Sequence, residues 1–445
     1  MDERMPEDRG GTVRQIAWHD VFPWLSLVRA VRLAAAPRLV LLAALGLALT
    51  AVGWRGIGWA FSSSQQLDET GWRVEDYAWP WESPEQDYGA ASLSLERFNP
   101  LHAPLYNPLI RSAKWLSRPF TRIFWDGQGN NGLRASFGPT AGATPIVYSL
   151  LCGLWELAIW SLIGGAITRI AALAMARDDR LGLVGGLKFG VRKWPAYFFA
   201  PLVPFSAVLG LLVLGWIGGL LLRWDPTAFV VALLWPILLV VCFGVAVLLL
   251  GLLFGWALIW PTISTEGTDS FDGLSRSYSY TFQRPLFYLF FVIVAGFLGV
   301  LATLIAWLLA DWTHVLSVWA VSWGAGFSRM SELSAAFADP AAAGGLLGGT
   351  ARLLAFWDGC IVLLALAYVY SYFWTAATRI YFLLRQRVDG TELDEVAVEE
   401  FEAEETYGLP ALAPDETGMP RVVEPVVSAP APSPPVKPPD APSGP

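Results

Sequence analysis

Six long, nearly uncharged apolar runs, at residues 39–61, 145–172, 195–222, 228–260, 286–310 and 353–384, alternate with polar intervals along this chain. A soluble core has no need of such runs, whereas a hydrocarbon layer takes about 20 apolar residues per helix. The pattern predicts an all-α integral membrane protein with six transmembrane helices. Several runs exceed that length, so tilting, kinks at Pro204 and Pro236, or extension beyond the lipid are expected. Residues 315–327 are also apolar but only 13 long, which suits an interfacial segment better than a seventh span.

Between the fourth and fifth runs lies the polar interval 268–285. In it Phe271, Leu274, Tyr278 and Phe282 recur at steps of three and four, while Asp272, Arg276, Ser279 and Gln283 fall opposite. That spacing predicts an amphipathic helix over 269–283 lying on a membrane surface, with one oily face. Thr268 or Asp269 can cap it, and Pro285 forces a new segment to begin. A shift of 87 residues sets Val184, Gly186-Leu187 and Val191 beside Phe271, Gly273-Leu274 and Tyr278. A second surface helix is therefore expected over 181–194, and with it a duplicated unit of span, surface helix and span.

The other polar stretches complete the organisation. Residues 1–38 carry six Arg and a short amphipathic piece from Val21, with Phe22, Trp24, Leu25 and Val28 able to touch lipid. They are too long for the n-region of an ordinary cleaved signal, so 39–61 reads as an uncleaved first span, with Arg55 snorkelling near its far end. The loop 62–144 holds Trp72, Trp79, Trp81, Trp115 and Trp125. Within it, 108–125 sets Arg111, Lys114, Arg118 and Arg122 opposite Leu109, Ala113, Leu116, Phe120 and Ile123. A basic face against an apolar one is an interfacial helix, and Pro119 predicts a kink or early stop. The stretch 385–445, with 13 acids from Asp389 onward and 12 prolines from Pro410, predicts a disordered tail that is extended and partly polyproline II.

Charge placement supplies an orientation. The terminal-side intervals hold 17 Lys and Arg against 4 in the short intervals of the other side. Both termini are expected in the cytoplasm, and the setting is a bacterial cytoplasmic membrane. Composition agrees: 55% of the 445 residues are apolar, 15% charged, and 23 are Trp. The net charge of −8 resides in the tail, and no basic domain suggests nucleic acid.

Candidate chemistry is sparse. The sequence has no H-E-x-x-H, C-x-x-C pair or G-x-S-x-G, and the Gly-rich stretch 344–350 lacks the Lys of a phosphate loop. The three cysteines fall inside apolar runs, and the three histidines are scattered, His314 just past Asp311 at a span end. No cofactor or metal is expected. What remains are acids inside spans: Glu156, some ten residues into the second, and Asp358, shallower in the sixth. A carboxylate there must be protonated, partnered or water-facing, so the pair reads either as a proton or cation relay or as structural hydrogen bonds between helices.

The residues Pro261, Glu266-Gly267, Asp269 and Gly273-Leu274-Ser275-Arg276-Ser277 resemble the cytoplasmic connector of uncharacterised bacterial polytopic membrane proteins. They are similar to the membrane domain sometimes fused to glycerophosphodiester phosphodiesterases. The stretch from Arg379-Ile380-Tyr381 through Val388-Asp389-Gly390-Thr391-Glu392-Leu393-Asp394-Glu395 resembles a signature of such proteins. The resemblance implies no catalytic residues. The expected role is a non-enzymatic component of a membrane complex. Its partners are the lipid bilayer and a protein bound through the Pro-rich tail or the 62–144 loop. A small-solute or ion transporter using Glu156 and Asp358 is the alternative.

Overall fold

The computed structural model describes residues 22–64, 143–338, 340–392, 394–397, 412–414 and 420–422. It divides into a unit ending at Ala397 and a unit from Val398 onward. In the second unit, β1 (Leu412–Pro414) and β2 (Pro420–Val422) pair antiparallel. The loop helix expected at 108–125, with Arg111, Lys114, Arg118 and Arg122, lies outside the described residues, as does most of the tail.

The first unit is helical. After a 3-10 turn at Pro23–Ser26 come α1 (Leu27–Ala34), α2 (Pro37–Ala60), α3 (Ala143–Ala176), α4 (Leu183–Leu221), α5 (Asp225–Glu266) and α6 (Ser270–Gln283). α7 (Pro285–Ala338) follows, then a short turn at Pro340–Ala343 and α8 (Gly345–Val388). Six of these, α2, α3, α4, α5, α7 and α8, are long and apolar enough to cross a membrane. This is a multi-pass, all-α membrane protein.

Local chemistry explains several boundaries. Pro37 opens α2, where its missing N–H costs nothing. The Asp269 carboxylate accepts from Phe271 N and Asp272 N, both at 3.0 Å, so α6 is capped as its sequence predicts. Arg284 then leaves the helical region ahead of Pro285.

The segment 181–194 behaves differently. It is not a separate surface helix: α4 runs unbroken from Leu183 through Pro195, Pro201 and Pro204. It packs along α3, with Trp194 Nε1 donating to Ala158 O at 2.9 Å. The apolar stretch 315–327 is likewise no separate interfacial element. It continues α7 as far as Gly326, whose φ of 76° and ψ of 162° break the helix. Pro285–Gly326 spans 42 residues, about 63 Å, roughly twice the hydrocarbon thickness.

α6 buries a side that leaves Phe271 and Phe282 out. Gly273, Leu274, Ser277, Tyr280 and Thr281 are buried, whereas Phe271 is 67% exposed and Phe282 50%. The reason is close approach. A Cβ on Gly273 would lie 2.7 Å from Ile263 Cγ1 of α5 and 3.6 Å from Ile259 O, and Ser277 Oγ donates to Gly255 O. Small and hydroxyl residues let the backbones meet, and the Phe271 and Phe282 rings are left outside.

The same contact recurs in α4, where a Cβ on Gly186 would lie 2.6 Å from Ile170 Cδ1 of α3 and 3.5 Å from Ala166 O. Gly190 stands against Leu162 O as Ser277 stands against Gly255 O. Positions 87 apart in the short helices thus meet positions 93 apart in the spans. α1 repeats the theme on α8, with Ser371 Oγ donating to Ala34 O at 2.8 Å and Thr375 Oγ1 to Ala30 O at 3.5 Å. The unit is therefore a short helix and a hairpin of spans, and it occurs three times: α1 with α2–α3, the start of α4 with the rest of α4 and α5, and α6 with α7–α8. Each short helix packs on the second span of the unit before it, and α1 on that of the last.

The second spans α3, α5 and α8 touch one another and form the centre. Their contact is aromatic: Trp260 stacks on Trp374 at 4.4 Å, Trp160 on Tyr370 at 4.7 Å, and Trp256 on Phe373 at 5.2 Å. Away from this end the α4–α5 hairpin exposes Leu209, Trp216, Phe229, Leu233 and Phe243, as expected where lipid is the solvent.

Gly190→Ala should destabilise the protein by about 1–3 kcal/mol, because a backbone carbonyl 2.9 Å from the new Cβ cannot yield as a side chain would. Gly218→Ala, with nothing within 4 Å, should leave stability unchanged or slightly raised. Thermal unfolding of both variants in one mild detergent checks the contrast.

Candidate functional site

Many of the buried polar groups converge where α3, α5 and α8 end. Thr168 and Arg169 reach inward from α3, Ser264 and Glu266 from α5, Tyr381 and Arg385 from α8, and α6 adds the buried Tyr280 and the exposed Arg276. Arg169 is wholly buried. Its guanidinium donates to Ser264 O and to Ala397 O and lies 4.2 Å above the Phe189 ring. Beside it Ser264 Oγ joins Thr168 Oγ1 at 2.6 Å and Tyr197 OH at 2.7 Å. Glu266 Oε1 accepts from Tyr381 OH at 2.8 Å and Oε2 from Arg276 Nη1 at 3.1 Å. Arg385 Nε pairs with Glu266 Oε1 at 3.0 Å, at an angle too bent for a hydrogen bond.

A strap formed by residues 389–392 and 394–397 closes this end. Arg177 donates to Asp394 O at 3.1 Å and Val396 O at 3.2 Å, and Arg385 to Glu395 O. Ala397 N donates to Thr265 O at 2.9 Å, and the Val396 side chain is buried. Three arginines thus hold four successive carbonyls. The first unit includes residues up to Ala397. On another flank Arg379 Nε donates to Ser26 Oγ at 2.9 Å, which ties α8 to the chain before α1.

Tyr280 donates to the Asp389 carboxylate at the root of the strap. Burial pushes its hydroxyl up to about 12, and the carboxylate pushes the same way. Burial alone raises Tyr278 to about 12, with its hydroxyl donating to Leu248 O at 2.9 Å.

The two acids singled out from the sequence lie elsewhere. Asp358 Oδ1 is 2.8 Å from Nδ1 of His314 on α7, a pair whose side chains are 32% and 8% exposed. Beside them Ala310, Asp311, His314, Asp358, Ile361 and Val362 line a cavity of about 20 Å³, room for a water. Glu156, half-buried on α3, does not line it. The stacking of Trp160 on Tyr370 sets the register of α3 against α8. Glu156 lies four residues and Asp358 twelve beyond that contact, so about 12 Å of depth separates them. Cys152 is buried, Cys242 and Cys360 partly so, and all three are free thiols. Among the described residues, no group of three or more His, Cys, Asp or Glu side chains could hold a metal ion.

No protein-family model, curated protein or solved structure matches this chain.

Pattern reading missed the arginine cluster. Arg169 stands inside the run 145–172, directly after the uncharged stretch from Leu157 to Thr168. That position, inside an apolar run, was the available signal. The partner of Asp358 had a fainter one: Asp311 and His314 lie three apart, on one side of a helix.

The structure generates a pH dependence. Unfolded tyrosine ionises near pH 10 and Tyr280 near 12, so between those values the unfolded chain binds fewer protons and stability falls as pH rises. Below pH 10 the contribution is fully present. Melting temperature in mild detergent should drop across that window, and less steeply in Tyr280→Phe.

Proposed function

We propose that this protein is a non-enzymatic scaffold or accessory component of a membrane complex, presenting its acidic, proline-rich C-terminal sequence from a fixed point. The observation that carries the reading is the strap. Arg169, Arg177 and Arg385 hold the backbone of residues 394–397, so the sequence that follows leaves the body at one defined place. The aromatic stacks at the centre of the three second spans support the same reading, since they favour a rigid platform over a conduit along that axis. The distribution of Lys and Arg supports a cytoplasmic position for this end, in the inner membrane of a bacterium.

A partner should co-purify in stoichiometric amount with the full chain from gentle detergent and be lost when the chain ends after Ala397. A full chain that purifies alone, as a clean monomer, overturns the reading.

The Asp358–His314 pair favours a second reading, a transporter of protons or small cations, because a carboxylate and an imidazole beside a water-sized cavity can exchange a proton. On the scaffold reading, Glu156→Gln and Asp358→Asn should both complement a deletion strain fully. A tenfold loss of proton flux in Asp358→Asn proteoliposomes, with folding intact, would decide for transport.

A further inference from the structure

We propose that the three short helices form a collar that binds the anionic headgroup layer of the bilayer. Each turns small residues inward: Ala30 and Ala34 of α1 toward α8, Gly186 and Gly190 of α4 toward α3, Gly273 and Ser277 of α6 toward α5. Each turns large apolar side chains outward. Val28 is 49% exposed, Val184 and Val191 are 72% and 63%, and Phe271 and Phe282 are exposed as given above. Each is followed within a few residues by a proline, Pro37, Pro195 or Pro285, from which an apolar run enters the hydrocarbon.

Charge agrees with that placement. Exposed basic residues sit beside the outward apolar ones: Arg32 on α1, Lys188 and Arg192 at the start of α4, and Arg284 at the end of α6. Asp272 is the single acid within α1, residues 183–194 and α6.

Three outward faces at one level, on three sides of a bundle, cannot be covered by one compact protein partner. The bilayer surface meets all of them at once. Outward apolar side chains bordered by basic ones suit the headgroup region, and negatively charged lipid strengthens their hold. The collar differs from the strap: the strap faces inward along the axis of α3, α5 and α8, and the collar faces outward.

The test uses the full chain, with Cys152, Cys242 and Cys360 replaced, reconstituted in phosphatidylcholine vesicles. A fluorophore is placed singly through Val28→Cys, Val184→Cys or Phe271→Cys, and Leu212→Cys in the lipid-exposed part of α4 is the positive control. Brominated lipid should quench all three collar labels. At equal mole fraction, brominated phosphatidylglycerol should associate about fivefold more strongly than brominated phosphatidylcholine, the order expected when a basic side chain meets an anionic surface. The combined Lys188→Gln, Arg192→Gln and Arg284→Gln variant should bring that ratio near one while lipid quenching persists. Its unchanged elution volume and melting temperature would show that the fold survives. Collar labels quenched only by aqueous iodide overturn the proposal, and so does an equal response to the two lipids in the unaltered chain.

Discussion

A guanidinium wholly withdrawn from water must be surrounded by acceptors, and Arg169 imposes that requirement on everything around it. Its acceptors come from α5 through Ser264 O and from the strap through Ala397 O, and its flat face is covered by Phe189 of α4. Four parts of the chain therefore have to arrive together. Once they do, Glu266 is carried to Arg385 and Tyr381, and the strap to Arg177. The large apolar spans need no such agreement in lipid, where helices gain little by burying one greasy face against another. The ordering of the bundle thus resides at its polar end.

That asymmetry shapes how the protein can work. At the polar end, paired charges, hydroxyl chains and stacked tryptophans make a body in which little can move independently. Toward the far end the α4–α5 hairpin faces outward and α7 runs well beyond hydrocarbon thickness. The Asp358–His314 contact bridges α7 and α8 far from the arginines, where each span has fewer polar constraints. A fixed base with a defined chain exit suits presentation. A titratable contact between two helices away from that base suits a change of state, and the two properties are physically separable.

Particular residues show why some of this was legible in the sequence. Asp269 and Pro285 act on their immediate neighbours, so the bounds of α6 could be read to within a residue or two. Periodicity also found the oily side of α6, whose Phe271 and Phe282 stay exposed as a membrane-facing side requires. It gave no sign that Gly273 and Ser277 would meet α5, where small residues let helices approach. At 181–194 the same periodicity was present, yet the helix, with Gly186 and Gly190 packed along α3, is continuous through Pro195. The 87-residue recurrence was visible between two short helices. The third, α1, shares the packing and little of the spelling, so the triple arrangement emerged only from the contacts.

Six spans, the capped helix before Pro285 and the side on which basic residues gather follow from the order of residues alone, because hydropathy, capping and proline sterics act over a few positions. Which polar groups meet does not follow. Arg169 and Ala397 are 228 residues apart, Tyr381 and Glu266 are 115, and His314 and Asp358 are 44. Satisfying a buried charge is a relation between distant segments whose register depends on every contact between them, and only the tertiary structure settles it.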